Sequence, residues 1–173
     1  HLVIRRQRQM CIRDRIIAPI EGDLAAFENQ FRSLLKSDVF LVDKVVNYLV
    51  SHKGKRLRPI LVLLVASLRE QKTSPEKLNA AAIVELMHTA SLLHDDVVDD
   101  SLVRRGFPSI NAIWNNKISV LTGDLLFSKV LVAMHGLRDF GAFEVVSSTA
   151  QRMSQGELLQ MERSKDFRMD EET

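Results

Sequence analysis

The sequence predicts an all-α protein, an antiparallel bundle of long helices. Three observations carry that expectation. Apolar residues recur every three or four positions over long stretches, as they do on one face of a helix. Strand-like alternation is absent. Glycine and proline are few, seven and four in 173 residues, which leaves room for uninterrupted helices. The periodicity places helices near 16–36, 38–51, 58–70, 75–100, 118–136 and 140–163. Short connections between helices with apolar stripes make neighbours run antiparallel.

Taken in order, the first fifteen residues stand apart. They carry five arginines against one acid and do not begin with Met. They read as a basic arm or presequence, or as residues foreign to the natural protein; the second reading is preferred, so 1–15 is expected to be disordered or artefactual. Without this arm the chain is slightly acidic, so its pI of 8.8 does not imply nucleic-acid binding. Residues 16–36 and 38–51 follow as amphipathic helices. His52-Lys53-Gly54-Lys55-Arg56-Leu57-Arg58-Pro59 is then a basic turn, with Gly54 free to take a tight or left-handed backbone and Pro59 suited to a helix start. Cations at a helix N-terminus oppose its dipole unless an anion lies between them, so the turn is either a phosphate site or an ordinary charged loop.

The longest helix has the clearest start. Ser74 is an N-cap, and Pro75 occupies the first position, where its missing N–H costs nothing. From Pro75 to about Asp100 the helix would extend for about 39 Å, and Gly106-Phe107-Pro108 is a stop signal. Ile83, Leu86, Met87, Ala90 and Leu93 share a face and belong to the core. At 118–136, Leu121, Leu125 and Val132 could supply an apolar wall. No apolar run reaches transmembrane length; Pro59–Leu68 is a buried helix. The composition, 46 % hydrophobic and 27 % charged, suits one soluble globular domain. One cysteine, Cys11, excludes an internal disulfide and suits a cytoplasmic setting.

Asp95, Asp96, Asp99 and Asp100 place four carboxylates within six residues, and Arg104-Arg105 follows. Asp95 and Asp99 share one helix face, and Asp96 is turned by about 100°. Like charges one turn apart destabilise a helix by about 0.2–0.5 kcal/mol per pair. Anions at its C-terminal end cost about 0.3–1 kcal/mol more each. A hard divalent cation relieves both penalties. Mg²⁺ suits the pattern, since it takes one or two carboxylates together with substrate phosphates and water. His88, seven residues earlier, projects within about 20° of Asp95 and about 10 Å along the axis. Arg104 and Arg105 could either neutralise the aspartates or grip a diphosphate bidentately.

These residues together resemble the trans-type isoprenyl diphosphate synthases, the polyprenyl synthetase family. Asp95-Asp96-Val97-Val98-Asp99 is similar to its first aspartate-rich motif, DDxxD, and Arg104-Arg105-Gly106 to the RRG that follows it. Gly54-Lys55-Arg56-Leu57-Arg58-Pro59 is similar to GKRxRP, and Glu85–Ser91 to the helix leading into the aspartates. Gly123-Asp124 and Gly156–Gln160 resemble two weaker signatures. The resemblance runs from about Ile16 to the end of the chain.

It implies an isoprenoid synthase-type helical fold and a Mg²⁺-dependent prenyltransferase, with isopentenyl diphosphate and an allylic prenyl diphosphate as substrates. Asp95, Asp96 and Asp99 would hold the metal and the allylic diphosphate, with Arg104 on the same diphosphate. Lys55, Arg58, His88 and Arg105 would bind isopentenyl diphosphate, and Gln160 would line the site. In the family, residues just before the aspartates limit product length. Here they are Ala90 and Ser91, both small, which implies a long-chain, octaprenyl-like product serving as a quinone side chain. The resemblance also implies a homodimer for the full-length protein and loose contact with a membrane surface. The family's second aspartate-rich motif is not among these residues. The expectation is therefore an N-terminal portion (16–173) of a longer synthase, inactive alone. The alternatives are a non-catalytic subunit of a heteromeric synthase, and a terpene cyclase. Lys55, Arg58 and His88 argue against the cyclase, which needs no isopentenyl diphosphate pocket.

Overall fold

A computed structural model describes residues 12–52 and 54–169, without the side chains of 164–169. Most of the arm expected at 1–15 lies outside the described residues; 12–17 is helical (α1), and Arg13 donates to the Lys55 carbonyl at 3.3 Å. The chain divides into two compact units, one through Leu137 and one from Arg138. After a 3-10 turn at Ala18–Ile20, the first unit contains α2 (Glu21–Leu35), α3 (Phe40–Ser51), α4 (Leu57–Arg69) and α5 (Pro75–Val98). Two short strands, β1 (Val103–Arg104) and β2 (Phe107–Pro108), come next, followed by α6 (Ile110–Ile113) and α7 (Asn116–Leu137). The second unit is the helix α8 (Phe140–Met169), with Asp139 Oδ1 accepting from the Ala142 N–H at 3.0 Å. The all-α expectation holds. The strands and α6 were not anticipated.

α5 is the central helix of the first unit and packs against α7, α4 and α2. Its start is as read from the sequence: Ser74 Oγ accepts from the Lys77 N–H at 3.3 Å, with Pro75 at the first position. Its end, at Val98, falls within two residues of the position read from the sequence. The Asp100 N–H reaches the Val97 carbonyl at 3.3 Å, and the Ser101 N–H reaches the Asp96 carbonyl at 2.9 Å. With Asp100 at φ 48°, this is a Schellman cap with aspartate where glycine is usual. Ala81, Ala82, Leu86, Ala90 and Leu93 of α5 are buried.

α7 lies antiparallel to α5, since Ser119 near its start donates to the Leu93 carbonyl near the end of α5, at 2.9 Å. Its buried residues include Ser119, Thr122 and Gly123, small enough for close helix approach. Contrary to the sequence expectation, α7 is long and apolar enough to cross a membrane by length and composition, with a mean hydropathy of 1.4. Its packing against α5 accounts for the apolarity of its buried face, while Leu121, Leu131 and Val132 are exposed. α2 buries Phe27, Phe31 and Leu35 at intervals of one turn. Lys129 of α7 caps the end of α2, donating to the carbonyls of Leu34 at 2.7 Å and Lys36 at 3.1 Å.

One charged group is wholly structural. Lys77 is 6 % exposed, and its ammonium reaches Asp23 Oδ2 (3.1 Å), Ser67 Oγ (3.2 Å) and the carbonyls of Glu70 (2.7 Å) and Lys72 (3.1 Å). Asp23, equally buried, also accepts from the Thr73 hydroxyl. Charges this deep persist only when paired and hydrogen-bonded.

Candidate functional site

Glu85, His88, Thr89, Leu92 and Asp96 form one face of α5 and the floor of a cleft. The end of α3 (Tyr48, His52), Gly54 and Arg56, and the strand pair (Arg104, Arg105, Phe107) close it. Its empty volume, mouth included, is about 810 Å³.

The basic turn sorts its cations by burial. Arg56 is the N-cap of α4 at φ 53°, so the left-handed residue is Arg56 and not Gly54. Its guanidinium donates to Glu85 Oε1 at 2.6 Å and Glu28 Oε1 at 3.2 Å, and lies 4.6 Å from the Phe31 ring centroid. Arg56 is thereby committed to the fold. Lys55 and Arg58, one and two residues away, are exposed. Gly54 matters for a different reason: a Cβ there would overlap the Arg105 guanidinium, which rests against its backbone.

The two arginines of RRG sit in a hairpin. Val103 pairs with Pro108 and Arg104 with Phe107, leaving Arg105-Gly106 as a two-residue turn. Both have positive φ, 55° and 83°, as a type I′ turn requires. Gly106 is suited to this. Arg105 is not, and for an L-residue the left-handed region costs about 1–2 kcal/mol. Arg104 Nε donates to Asp96 Oδ1 at 2.8 Å. Asp96 is 2 % exposed, and its backbone carbonyl accepts from Asn111 Nδ2 at 3.1 Å.

The three motif aspartates therefore differ. Asp96 is buried on Arg104. Asp95 is half-buried and Asp99 exposed at the helix end, and neither lines the cleft. Lys55, Arg58 and Arg105 form no ion pair among the described residues. His88 lines the cleft two turns before Asp95 and projects close to it around the helix. Its pKa is lowered, first by burial and then by Arg58, with smaller contributions from Arg105 and Arg104; Glu85 opposes part of this. Three guanidiniums thus act on one half-buried imidazole.

Residues 40–173 match the Polyprenyl synthetase family. The chain belongs to that family. It is 38 % identical over 147 residues to an all-trans-nonaprenyl-diphosphate synthase (geranyl-diphosphate specific) of Rhodobacter capsulatus, covering 85 % of this chain and 45 % of the relative. It is 37 % identical to heptaprenyl diphosphate synthase component 2 of Geobacillus stearothermophilus, covering 82 % and 44 %. Among solved structures, polyprenyl synthase from Caulobacter crescentus CB15, complexed with calcium and isoprenyl diphosphate, matches with a TM-score of 0.80 at 35 % identity, covering 86 % and 45 %. The chain spans less than half the length of these relatives.

In this polyprenyl synthetase chain, the expected site residues divide into groups. His88, Asp96, Arg104 and Arg105 line the cleft; Lys55 and Arg58 are exposed on the loop and helix start beside it. Asp95 and Asp99 do not line it. Ala90 is fully buried, and Ser91 is half-buried with its hydroxyl donating to the His88 carbonyl at 3.0 Å; neither lines the cleft. Gln160 is on α8, in the second unit.

Sequence reasoning missed Tyr48 and His52, one turn apart on the last turn of α3, and Asp100 as a cap. It also missed His94, whose Nε2 lies 3.3 Å from Asp124 Oδ1 and 3.2 Å from the Val120 carbonyl, over the bare backbone of Gly123. The Gly123-Asp124 signature was the available signal. Among the described residues no group of three His, Cys, Asp or Glu side chains is arranged to hold a metal ion. The donors fit a hard cation shared between two carboxylates, Asp95 and Asp99, and a ligand's oxygens; they do not form a closed protein cage.

Proposed function

We propose that this chain supplies the first diphosphate-handling half of a magnesium-dependent trans-prenyltransferase. That enzyme would condense isopentenyl diphosphate with an allylic prenyl diphosphate to give a long-chain polyprenyl diphosphate, a quinone side-chain precursor. One observation carries the reading. His88, Arg104 and Arg105 line one cleft, with Arg58 exposed beside it, next to the helix end that carries the Asp95 and Asp99 carboxylates. Such a concentration of cations beside carboxylates suits a bound polyanion with its counter-ion.

In the proposed roles, Lys55, Arg58, Arg105 and His88 hold the diphosphate of isopentenyl diphosphate. Arg104, oriented by Asp96, faces the allylic diphosphate. Asp95 and Asp99 are the direct carboxylate donors to Mg²⁺, with Asp96 acting through Arg104. The metal, when bound, neutralises the departing diphosphate. Small side chains at Ala90 and Ser91, and relatives named for nonaprenyl and heptaprenyl products, support a long product. The working form is a cytoplasmic homodimer that touches a membrane surface through its product. A second reading, one subunit of a heteromeric synthase, is favoured by the relative named as a component. The intact aspartate and arginine sets weigh against a purely non-catalytic role.

The test is calorimetric titration of the chain with inorganic pyrophosphate, with and without Mg²⁺. Binding should require Mg²⁺ and disappear in Asp95→Asn/Asp99→Asn. Labelled isopentenyl diphosphate with an allylic primer is expected to give no product. Metal-independent binding, or turnover by these 173 residues, would overturn the respective part of the proposal.

A further inference from the structure

The hairpin carrying Arg104 and Arg105 is two residue pairs long, and a ribbon this short does not hold its shape alone. Its turn also keeps Arg105 in a left-handed conformation that side chains disfavour. On its outgoing strand, Arg104 is anchored to Asp96. The return strand is held from α3. The Tyr48 hydroxyl donates to the Pro108 carbonyl at 2.7 Å, across 60 positions of sequence. The His52 ring lies between Tyr48 and Phe107, with centroids 4.3 Å and 4.2 Å away. Trp114, just past the hairpin, meets Tyr48 edge-on at 5.7 Å.

We propose that Tyr48 is the positioning residue of the arginine hairpin. Its hydroxyl and the His52–Phe107 contact fix the return strand, and so hold the Arg105 guanidinium against Gly54 and beside His88. The tether itself is independent of what the cleft binds. Its consequence for affinity rests on the diphosphate reading above.

Tyr48→Phe tests this, because it keeps the ring contacts and deletes only the hydroxyl. Amide hydrogen exchange is measured on the whole chain, with the emission of Trp114, the single tryptophan, as a second reporter. Residues 102–109 should exchange about 2- to 10-fold faster, the effect of one net hydrogen bond, while the amides of α5 stay unchanged. Trp114 emission should shift, and affinity for inorganic pyrophosphate with Mg²⁺ should fall by a comparable factor. Unchanged exchange at 102–109 would overturn the tether. Faster exchange with unchanged pyrophosphate affinity would overturn positioning, leaving Tyr48 a structural contact. Faster exchange at 102–109 in a chain whose wild type binds no pyrophosphate would uphold the tether and overturn the diphosphate reading instead.

Discussion

The two ends of α5 treat charge in opposite ways. At its start, Ser74 caps the helix, and the buried Lys77 ammonium and both Asp23 carboxylate oxygens find hydrogen-bond partners within the chain. At its end, Asp99 and Asp100 are exposed where the dipole is already negative, and Arg105 is held at positive φ in the hairpin that follows. Local physics favours the first arrangement and opposes the second. Charge that serves the fold meets its complement inside; charge held against local preference is suited to a complement supplied by a ligand.

The largest expected effect tests the first half of this contrast. Lys77→Ala leaves Asp23 buried without its cation and should cost about 3–5 kcal/mol in urea unfolding. Asp99→Asn, at the other end, should instead stabilise by about 0.3–1 kcal/mol through relief of the dipole. Equal losses from both would break the contrast.

Next in size is overpacking beside the aspartates. Ala90 is fully buried, so Ala90→Phe should destabilise by about 1–3 kcal/mol or more. Ser91→Phe, at a half-buried position, should be tolerated better. In the longer protein Ser91→Phe should shorten the product, seen by chromatography of the dephosphorylated alcohols. Unchanged length would place the limiting wall elsewhere.

Arg105→Gly separates fold from site most directly. Removing a side chain from a left-handed position should raise stability by about 0.5–1 kcal/mol after glycine's own entropy is counted. Pyrophosphate binding should weaken by about tenfold or more, as loss of a charge-assisted contact implies. A variant both more stable and equally tight would remove Arg105 from the site.

The smallest effect is in protons. His88 is shifted down by burial and by Arg58, Arg105 and Arg104, so its protonation opposes folding. Its contribution to stability is complete above about pH 6.5, and is lost as pH falls through the lowered folded value. A bound anion offsets the guanidiniums and raises that pKa, so binding takes up a proton in the pH window between the lowered free value and the raised bound one. Titration of inorganic pyrophosphate in two buffers of different ionisation enthalpy should show this uptake reduced in His88→Gln. Equal uptake in both proteins would place the anion beyond the reach of His88.

The helices, the Ser74 cap and the clustering of acids and bases were legible because each depends on residues within a turn or two. Period and capping are local properties, and they survive without knowledge of neighbours. Other features could not be read that way. Asp96 and Asp95 are adjacent and chemically identical, yet one is buried under Arg104 and the other is not. Arg56 and Arg58 share a motif, yet only Arg56 is spent on Glu85 and Glu28. Ala90 and Ser91 differ in burial by one helical step. Each step turns a side chain by about 100°, so its fate depends on which element, from tens of residues away, covers that direction. The Arg104-Arg105 hairpin is too short for any periodic signal, and its shape is set by Tyr48 and Asp96. Local pattern was enough to say that these charges need a partner; only packing decided which of them the protein itself provides with one.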